Sequence, residues 1–280
     1  MRSDRISAEE LLTSLAAFSP PPTEYFRHGA ARIAASLSVI PPGSGTVLEL
    51  GCDSHFTLAM SLLTSYEVVP QNRPLPIAAP ESDMEKPVVF TAADGSTREF
   101  KRAAFDAETG RFPFPDNSFD GILFCEMIEH LFLDPAAVLH ESHRVLKPGG
   151  WLLLTTPNIT SFWSILRAVK GGHPMEHSKY FHPTHGGLVQ HTREYAFWEI
   201  VYLLEQCGFN TDEKTTLTLF QHEHLHLADY LLLPILALYN IATFRHPKHI
   251  LMRYRRPHTF VLARKAGPPT ARYPGWLYVE

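Results

Sequence analysis

Glu126, Glu129 and His130 put two carboxylates and an imidazole into the short string Glu126-Met127-Ile128-Glu129-His130. If that string forms a helical turn, the i, i+3 and i+4 spacing brings all three side chains to one face. Hard carboxylate oxygens suit Mg²⁺, and a bound divalent ion lowers the pKa of a nearby hydroxyl. Thr156 and Asn158 add further polar groups some thirty positions downstream.

These residues need rigid elements to hold them. Gly121–Cys125 and Trp151–Thr156 read as apolar strands flanking an amphipathic segment that opens at Asp134-Pro135. Asp134 suits an N-cap and Pro135 the first helical position, while Gly149-Gly150 closes the unit. A strand–helix–strand crossover of this kind implies parallel pairing. The polar residues then lie just past the strands' C-terminal ends, where open α/β sheets bind ligands.

Upstream, residues 1–40 read as helices, with a Ser7-to-Glu10 capping box, a break at Pro20-Pro21-Pro22 and Thr23 as a second cap. Thr46–Leu50 is a strand entering Gly51-Cys52-Asp53-Ser54, followed by a helix over Thr57–Ser65 and a weak strand at Glu67–Val69. Pro70–Pro87 is an irregular excursion, and Val88–Phe90 with Arg98–Phe105 form a hairpin on the way to a third strand. Downstream come a helix at Phe162–Val169, a His- and Gly-rich loop over 171–191 long enough for a lid, and a helix over Thr192–Cys207. Thr215–Phe220 and Thr259–Ala263 are the last strands. Between them, Leu225–Phe244 is almost wholly apolar and is followed by Arg245, Lys248, Arg253, Arg255 and Arg256. His226, Asp229 and Pro234 interrupt the ~20 apolar residues a membrane span requires. An interfacial segment with a basic flank, a cover over the active site, or a dimer contact remain open for it.

The chain has 280 residues, 45% of them hydrophobic, and a net charge of -4 that gives no reason to expect nucleic acid. Cys52, Cys125 and Cys207 are isolated and odd in number, which argues against a disulfide framework or a cysteine zinc site. Without a basic-then-apolar leader pattern, a cytoplasmic location is expected. Most of the sixteen histidines read as surface and loop residues.

The order of these pieces resembles the class I S-adenosylmethionine-dependent methyltransferases. Phe112-Pro113-Phe114-Pro115-Asp116-Asn117-Ser118-Phe119-Asp120 is the most specific match, and Val47-Leu48-Glu49-Leu50-Gly51-Cys52-Asp53-Ser54-His55 resembles the family's cofactor loop. The resemblance implies a Rossmann-like, doubly wound seven-stranded α/β sheet with an antiparallel last strand and helices on both faces. It implies S-adenosylmethionine as cofactor, held by Glu49, Gly51, Cys52, Asp53, Asn72, Asp106, Ala107 and Cys125. Within that set Asn72 stands where the family's ribose-binding acid usually is, and Asp106 where the adenine amino group is accepted. Asp53 and His55 replace two customary glycines; Asp tolerates left-handed backbone better than most residues.

The E-x-x-E-H string is similar to that of ubiquinone-biosynthesis and small-RNA 2′-O-methyltransferases, which implies a metal set of Glu126, Glu129 and His130 with Mg²⁺. His191-Thr192-Arg193-Glu194-Tyr195 resembles the H-x-R-E-Y of methyltransferases encoded with surface-polysaccharide enzymes. There it closes the acceptor pocket, making Arg193 and Tyr195 acceptor contacts; alternatively Thr192 caps a helix and its neighbours pack a lid. Catalytic candidates are His130, His191 and Glu126, with either histidine as general base. The expected domains are N-terminal helices at 1–40, a methyltransferase domain at 41–220 plus 257–265, an amphipathic insertion at 221–256 and a tail at 266–280. The favoured reaction is O-methylation of a sugar, lipid-linked glycan or other small hydroxyl acceptor, with peripheral contact at the inner membrane surface through 225–256. Metal-assisted O-methylation of a catechol-like or ribose hydroxyl is one alternative. A degenerate fold serving as a binding or scaffold subunit is the other.

Overall fold

The computed structural model describes residues 6–72, 86–175, 191–219 and 255–270. The insertion's apolar run, most of the 171–191 loop and the end of the tail therefore lie outside the described residues. Helix α1 (Ala8–Leu15) opens with a capping box: Ser7 Oγ accepts from Glu10 N, and Glu10 Oε2 accepts from Ser7 N. After a two-residue strand β1 (Phe18–Ser19), Thr23 caps helix α2 (Glu24–Val39), which buries Phe26, Ile33 and Leu37.

The remaining strands are β2 (Ser44–Glu49), β3 (Ser65–Asn72), β4 (Val88–Ala92), β5 (Thr97–Phe100), β6 (Ala103–Ala104), β7 (Phe119–Cys125), β8 (Leu146–Pro157), β9 (Phe209–Leu217) and β10 (His258–Lys265). Seven of them form one sheet in the order β6-β3-β2-β7-β8-β10-β9. β10 runs antiparallel to both β8 and β9, while β6, β3, β2, β7 and β8 pair in parallel. The expected doubly wound seven-stranded sheet is present. Because side chains alternate across a strand, Val47, Leu123 and Leu153 pack toward α1, α2 and α3 (Ser54–Leu63). Leu48, Ile122, Phe124, Leu152 and Leu154 pack toward α4 (Pro135–Val145) and α6 (Phe197–Gln206), between which the chain forms the short helix α5 (Phe162–Val169). Gly121 admits the Trp151 ring, which a Cβ would strike; the indole in turn donates from Nε1 to Tyr66 Oη at 3.2 Å.

The expected hairpin before the third strand is present as β4 and β5, and it joins β1 in a separate three-stranded sheet, β1-β4-β5; two other expectations need correction. The third strand of the main sheet is only the two-residue β6, bonded to Gln71 and Asn72. Strands with exposed Thr97, Arg98 and Glu99 suit a small, one-sided sheet better than a position covered on both faces. The late helix begins at Phe197, so Thr192 is not its cap. The N–H groups of Thr192 and Arg193 donate instead to the Glu129 carbonyl at 2.7 and 3.2 Å, and Glu199 Oε2 accepts from Ala196 N. Lastly, α3 starts at Ser54, earlier than expected, because Asp53 is its N-cap.

Candidate functional site

At the end of β2 the backbone turns through Gly51, with φ +66°, a left-handed value that glycine adopts without strain. A Cβ on Gly51 would lie 3.1 Å from Met127 Sδ, so the loop is also tight. Gln71, fully buried at the end of β3, accepts from Gly51 N through Oε1 at 2.9 Å and donates from Nε2 to Phe105 O at 2.6 Å. Glu49 accepts from Asp53 N at 3.1 Å and from Thr57 Oγ1 at 2.6 Å. Burial pushes its carboxyl up to about 8 in spite of those bonds.

Asp53 does not take up left-handed backbone. Its φ is -96°, and its Oδ1 accepts from His55 N and Phe56 N as a helix cap. His55, where the family resemblance calls for glycine, is a packing residue. Its ring lies 5.5 Å from that of Phe26 and 5.1 Å from that of Phe90, and Nε2 donates to Pro20 O at 3.2 Å. The ring ties α2 and the chain before it to β4.

Tyr25, Arg32, Ile33, Glu49, Gly51, Cys52, Asp53, Cys125 and Glu126 line a cavity of about 170 Å³ at this loop. Burial raises the thiols of Cys52 and Cys125 to about 12, so neither is a nucleophile near neutral pH. Asn72 ends β3. Asp106 Oδ1 accepts from Glu108 N, and Ala107 is buried in the core cluster that also holds Phe112 and Ile128. Glu108 Oε1 accepts from Phe132 N and Leu133 N at 2.6 Å each, which joins this loop to the segment after His130.

The helical turn at Glu126–His130 is shorter than the spacing argument requires. A 3₁₀ turn covers only Ile128–His130, and Glu126 precedes it at φ +50°. Glu126, Glu129 and His130 accordingly do not share one face. Glu126 Oε1 accepts from Thr155 Oγ1 at 2.8 Å and faces Arg32 Nη1 at 3.7 Å. Burial opposes its ionisation, but the guanidinium of Arg32 prevails and holds the carboxyl below its usual range. Glu129 is fully buried, accepts from Thr156 Oγ1 at 2.9 Å, and has no hydrogen-bond partner for Oε1 among the described residues. Burial, reinforced by the Glu126 charge, raises it well above the usual carboxyl range.

His191 joins Glu129 and His130 in place of Glu126. The three residues' ligand atoms lie within 4.8 Å of one another, and the two imidazoles meet edge to face at 4.8 Å between centroids. His191 Nδ1 lies 2.9 Å from Glu194 Oε1, both residues being buried. The guanidinium of Arg193 sits over the Tyr195 ring at 4.8 Å. Asn158 has a supporting place: Nδ2 donates to Arg256 O, and Oδ1 accepts from Thr160 N and Oγ1. Sequence reasoning missed Arg32, Gln71 and Glu194. Glu194 carried a signal, since it stands inside the quoted H-T-R-E-Y string; Arg32 and Gln71 carried none.

A mostly parallel sheet with a glycine turn after its first long strand, and a buried carboxylate–imidazole cluster near the adjoining strand ends, defines a ligand-binding α/β domain of the nucleotide-cofactor type. Residues 23–212 match the family model described as a methyltransferase domain, and the chain belongs to that family. Over 138 residues it is 31% identical to an S-adenosylmethionine-dependent methyltransferase of Mycolicibacterium smegmatis, an overlap that is 47% of each chain. The chain thus spans about half the length of the curated relative it matches. A Haloferax volcanii methyltransferase solved with the activator Trm112 superposes with a TM-score of 0.53 at 14% identity, covering 86% of this chain and 91% of that one. A methyltransferase of Thermotoga maritima gives 0.50 at 16%, covering 86% and 93%. These structural likenesses concern the fold. The family implies S-adenosylmethionine as cofactor. The Gly51 turn fits it, because any side chain there would fill the cradle against Met127.

Proposed function

We propose that the protein transfers a methyl group from S-adenosylmethionine to a hydroxyl of a small-molecule or glycan acceptor. The supporting observation is the convergence of Glu129, His130 and His191, the first two of which follow closely on Glu126, a residue that lines the Gly51 cavity. When bound, the cofactor supplies a sulfonium-activated methyl group. Glu49, Gly51, Cys52, Asp53, Asn72, Asp106, Ala107 and Cys125 would hold it. His191 donates Nδ1–H to Glu194, which leaves Nε2 as the basic nitrogen that receives the hydroxyl proton. His191 Nε2 would take the acceptor's hydroxyl proton, leaving the oxygen free to receive the methyl group that a bound cofactor would supply. Buried Glu129, whose ionisation is opposed by burial and by the Glu126 charge, stands beside the two imidazoles on the acceptor side. Arg193 and Tyr195 shape the acceptor side.

The test is methyl transfer from labelled cofactor to a panel of sugars and glycolipids. His191→Ala should lower kcat by roughly 10²–10⁴-fold with cofactor affinity unchanged. Equal activity in the variant would remove His191 from the chemistry.

A second reading has one specific observation behind it: the orphaned Oε1 of Glu129 among two histidines. On that reading Glu129, His130 and His191 ligate Mg²⁺, which lowers the hydroxyl's pKa; Glu126 stands outside the set. Activity unaffected by chelator would dispose of it. We also place residues 225–256 against the inner membrane surface as an amphipathic insertion between the domain's last two strands. No helix among the described residues is long and apolar enough to cross a membrane. Liposome flotation with and without the insertion tests the placement, and equal flotation rejects it.

A further inference from the structure

Helix α5 turns its polar side chains inward. Ser161 Oγ caps the helix by accepting from Ser164 N at 3.1 Å, the two hydroxyls lie 2.9 Å apart, and Ser164 Oγ donates to Asn158 O at 3.4 Å. Both serines are buried, as is Leu166. Phe162, Ile165 and Val169 fall at i, i+3 and i+7 and so share one stripe of the helix. That stripe is only half-buried at Phe162 and Ile165, and Val169 is 54% exposed. Trp163 is also half-buried, its ring 6.3 Å from that of Phe162. A helix on the surface of a globular domain normally gives its apolar stripe to the core. Here the core receives the serines.

The charge around α5 has one sign. Arg167 and Lys170 lie in its last turn and just past it, and residues 158–175 contain no Asp or Glu. Arg167 donates to neutral groups, Ser164 Oγ at 3.3 Å and Pro174 O at 3.0 Å. Arg255 is fastened to the start of the helix: its carbonyl accepts from Phe162 N at 2.8 Å, and its Nη1 donates to Thr160 O at 3.0 Å. Arg256 follows with an exposed side chain, and residues 255–265 also contain no Asp or Glu. Cations set around an aromatic and aliphatic stripe suit a surface that is anionic outside and apolar beneath.

We propose that α5, with Arg255 and Arg256 at its start, rests on an anionic lipid bilayer. Phe162, Ile165 and Val169 meet the acyl chains, and Arg167 and Lys170 meet the headgroups. The proposal rests on the membrane placement of residues 225–256 given above and carries it into the folded domain, because Arg255 and Arg256 end that segment. Helix α5 leaves β8 by way of Asn158, which bridges to Tyr195 in the string that opens at His191. The lipid surface thereby adjoins the acceptor side of the site.

The experiment is flotation of the full chain with vesicles of phosphatidylcholine, alone or mixed with phosphatidylglycerol, with tryptophan emission read on the same samples. The chain should float with the mixed vesicles, and less so as added salt screens the headgroups. Its emission should shift to the blue on binding. Trp163→Phe keeps an apolar ring, so it should keep flotation and lose most of that shift. Val169→Asp/Lys170→Glu changes two exposed side chains and should weaken binding by on the order of tenfold to a hundredfold, the loss for reversing one basic charge and charging one apolar contact at such a surface. An emission shift that Trp163→Phe retains in full, or wild-type flotation of the double variant, overturns the role of α5 and leaves the placement of 225–256 standing. Equal flotation with and without phosphatidylglycerol overturns the anionic assignment. A wild-type dimer that the double variant splits gives the stripe to a second copy of the chain, which overturns the proposal as well. If the double variant does not fold, the Trp163 signal decides alone. A wild-type chain that floats with neither vesicle sinks the membrane placement itself, and that result is visible before any variant is made.

Discussion

Replacing His55 by Ala removes a buried ring, 5% exposed, that holds three parts of the chain together. The ring faces Phe26 of α2 at 5.5 Å and Phe90 of β4 at 5.1 Å. Each such ring pair is worth about 0.5–1.5 kcal/mol beyond its area. The bond from Nε2 to Pro20 O, 3.2 Å long, contributes a net of about 1 kcal/mol. Together these give a loss of about 2–4 kcal/mol, within the range for emptying a core site. Urea unfolding followed by circular dichroism measures it directly. His55→Gly offers the sharper comparison, because it restores the residue the family resemblance calls for. If His55 is a rivet and not a damaged cofactor contact, the glycine variant is destabilised at least as much as the alanine one and gains no affinity for S-adenosylhomocysteine. A loss below about 0.5 kcal/mol, the usual size for an uninvolved surface site, or tighter ligand binding by the glycine variant, would refute the reasoning.

Two further outcomes follow from the same loop. Gly51→Ala, at φ +66° with Met127 Sδ 3.1 Å from the new Cβ, should cost about 1–2 kcal/mol of stability and lower cofactor affinity; thermal melting with and without S-adenosylhomocysteine reads both, and wild-type values in the two would contradict it. Glu49 has its folded pKa raised from 4.5 to about 8, so its contribution to stability is full below pH 4.5 and is lost as pH rises toward 8. Wild-type protein should accordingly lose stability relative to Glu49→Gln between pH 5 and 8, by on the order of a few kcal/mol; parallel pH profiles for the two in denaturant titrations would show that burial is not what governs this group.

The β7–α4–β8 unit was legible because its signals are local: Asp134 accepts from Ala136 N as the cap, Pro135 occupies the first turn, and the apolar runs mark buried strands. The start of α6 was not legible, because the N–H groups that would have begun a helix at Thr192 are taken by the Glu129 carbonyl, a partner more than sixty positions away. Propensity cannot anticipate such a competitor. Arg32 was hidden for a related reason. On sequence it is one basic residue in an amphipathic helix, and only the packing of α2 over the Gly51 turn buries it. Asp53 and His55 looked like losses from the glycine loop, since composition registers the missing glycines but not the helix cap and ring stack that replace them.

The division of labour within Glu126-Met127-Ile128-Glu129-His130 comes from the strand beside it. Thr155 and Thr156 are neighbours on β8, and successive side chains on a strand point to opposite faces. Thr155 Oγ1 holds Glu126, on the side where Arg32 and α2 pack; Thr156 Oγ1 holds Glu129, on the side of His130 and His191. Two carboxylates three residues apart are thereby drawn to different sides of the sheet edge and to different charge states. One is held ionised by a guanidinium. The other is pushed toward its neutral form by burial and by the first one's charge. Removing the Glu126 charge should therefore ease ionisation at Glu129, so a Glu126→Gln variant reports the electrostatic coupling of two centres that share no hydrogen bond among the described residues. A helical reading of the string would give all three groups one job. The strand's alternation gives the first carboxylate to the Gly51 cavity and the second to the imidazole pair.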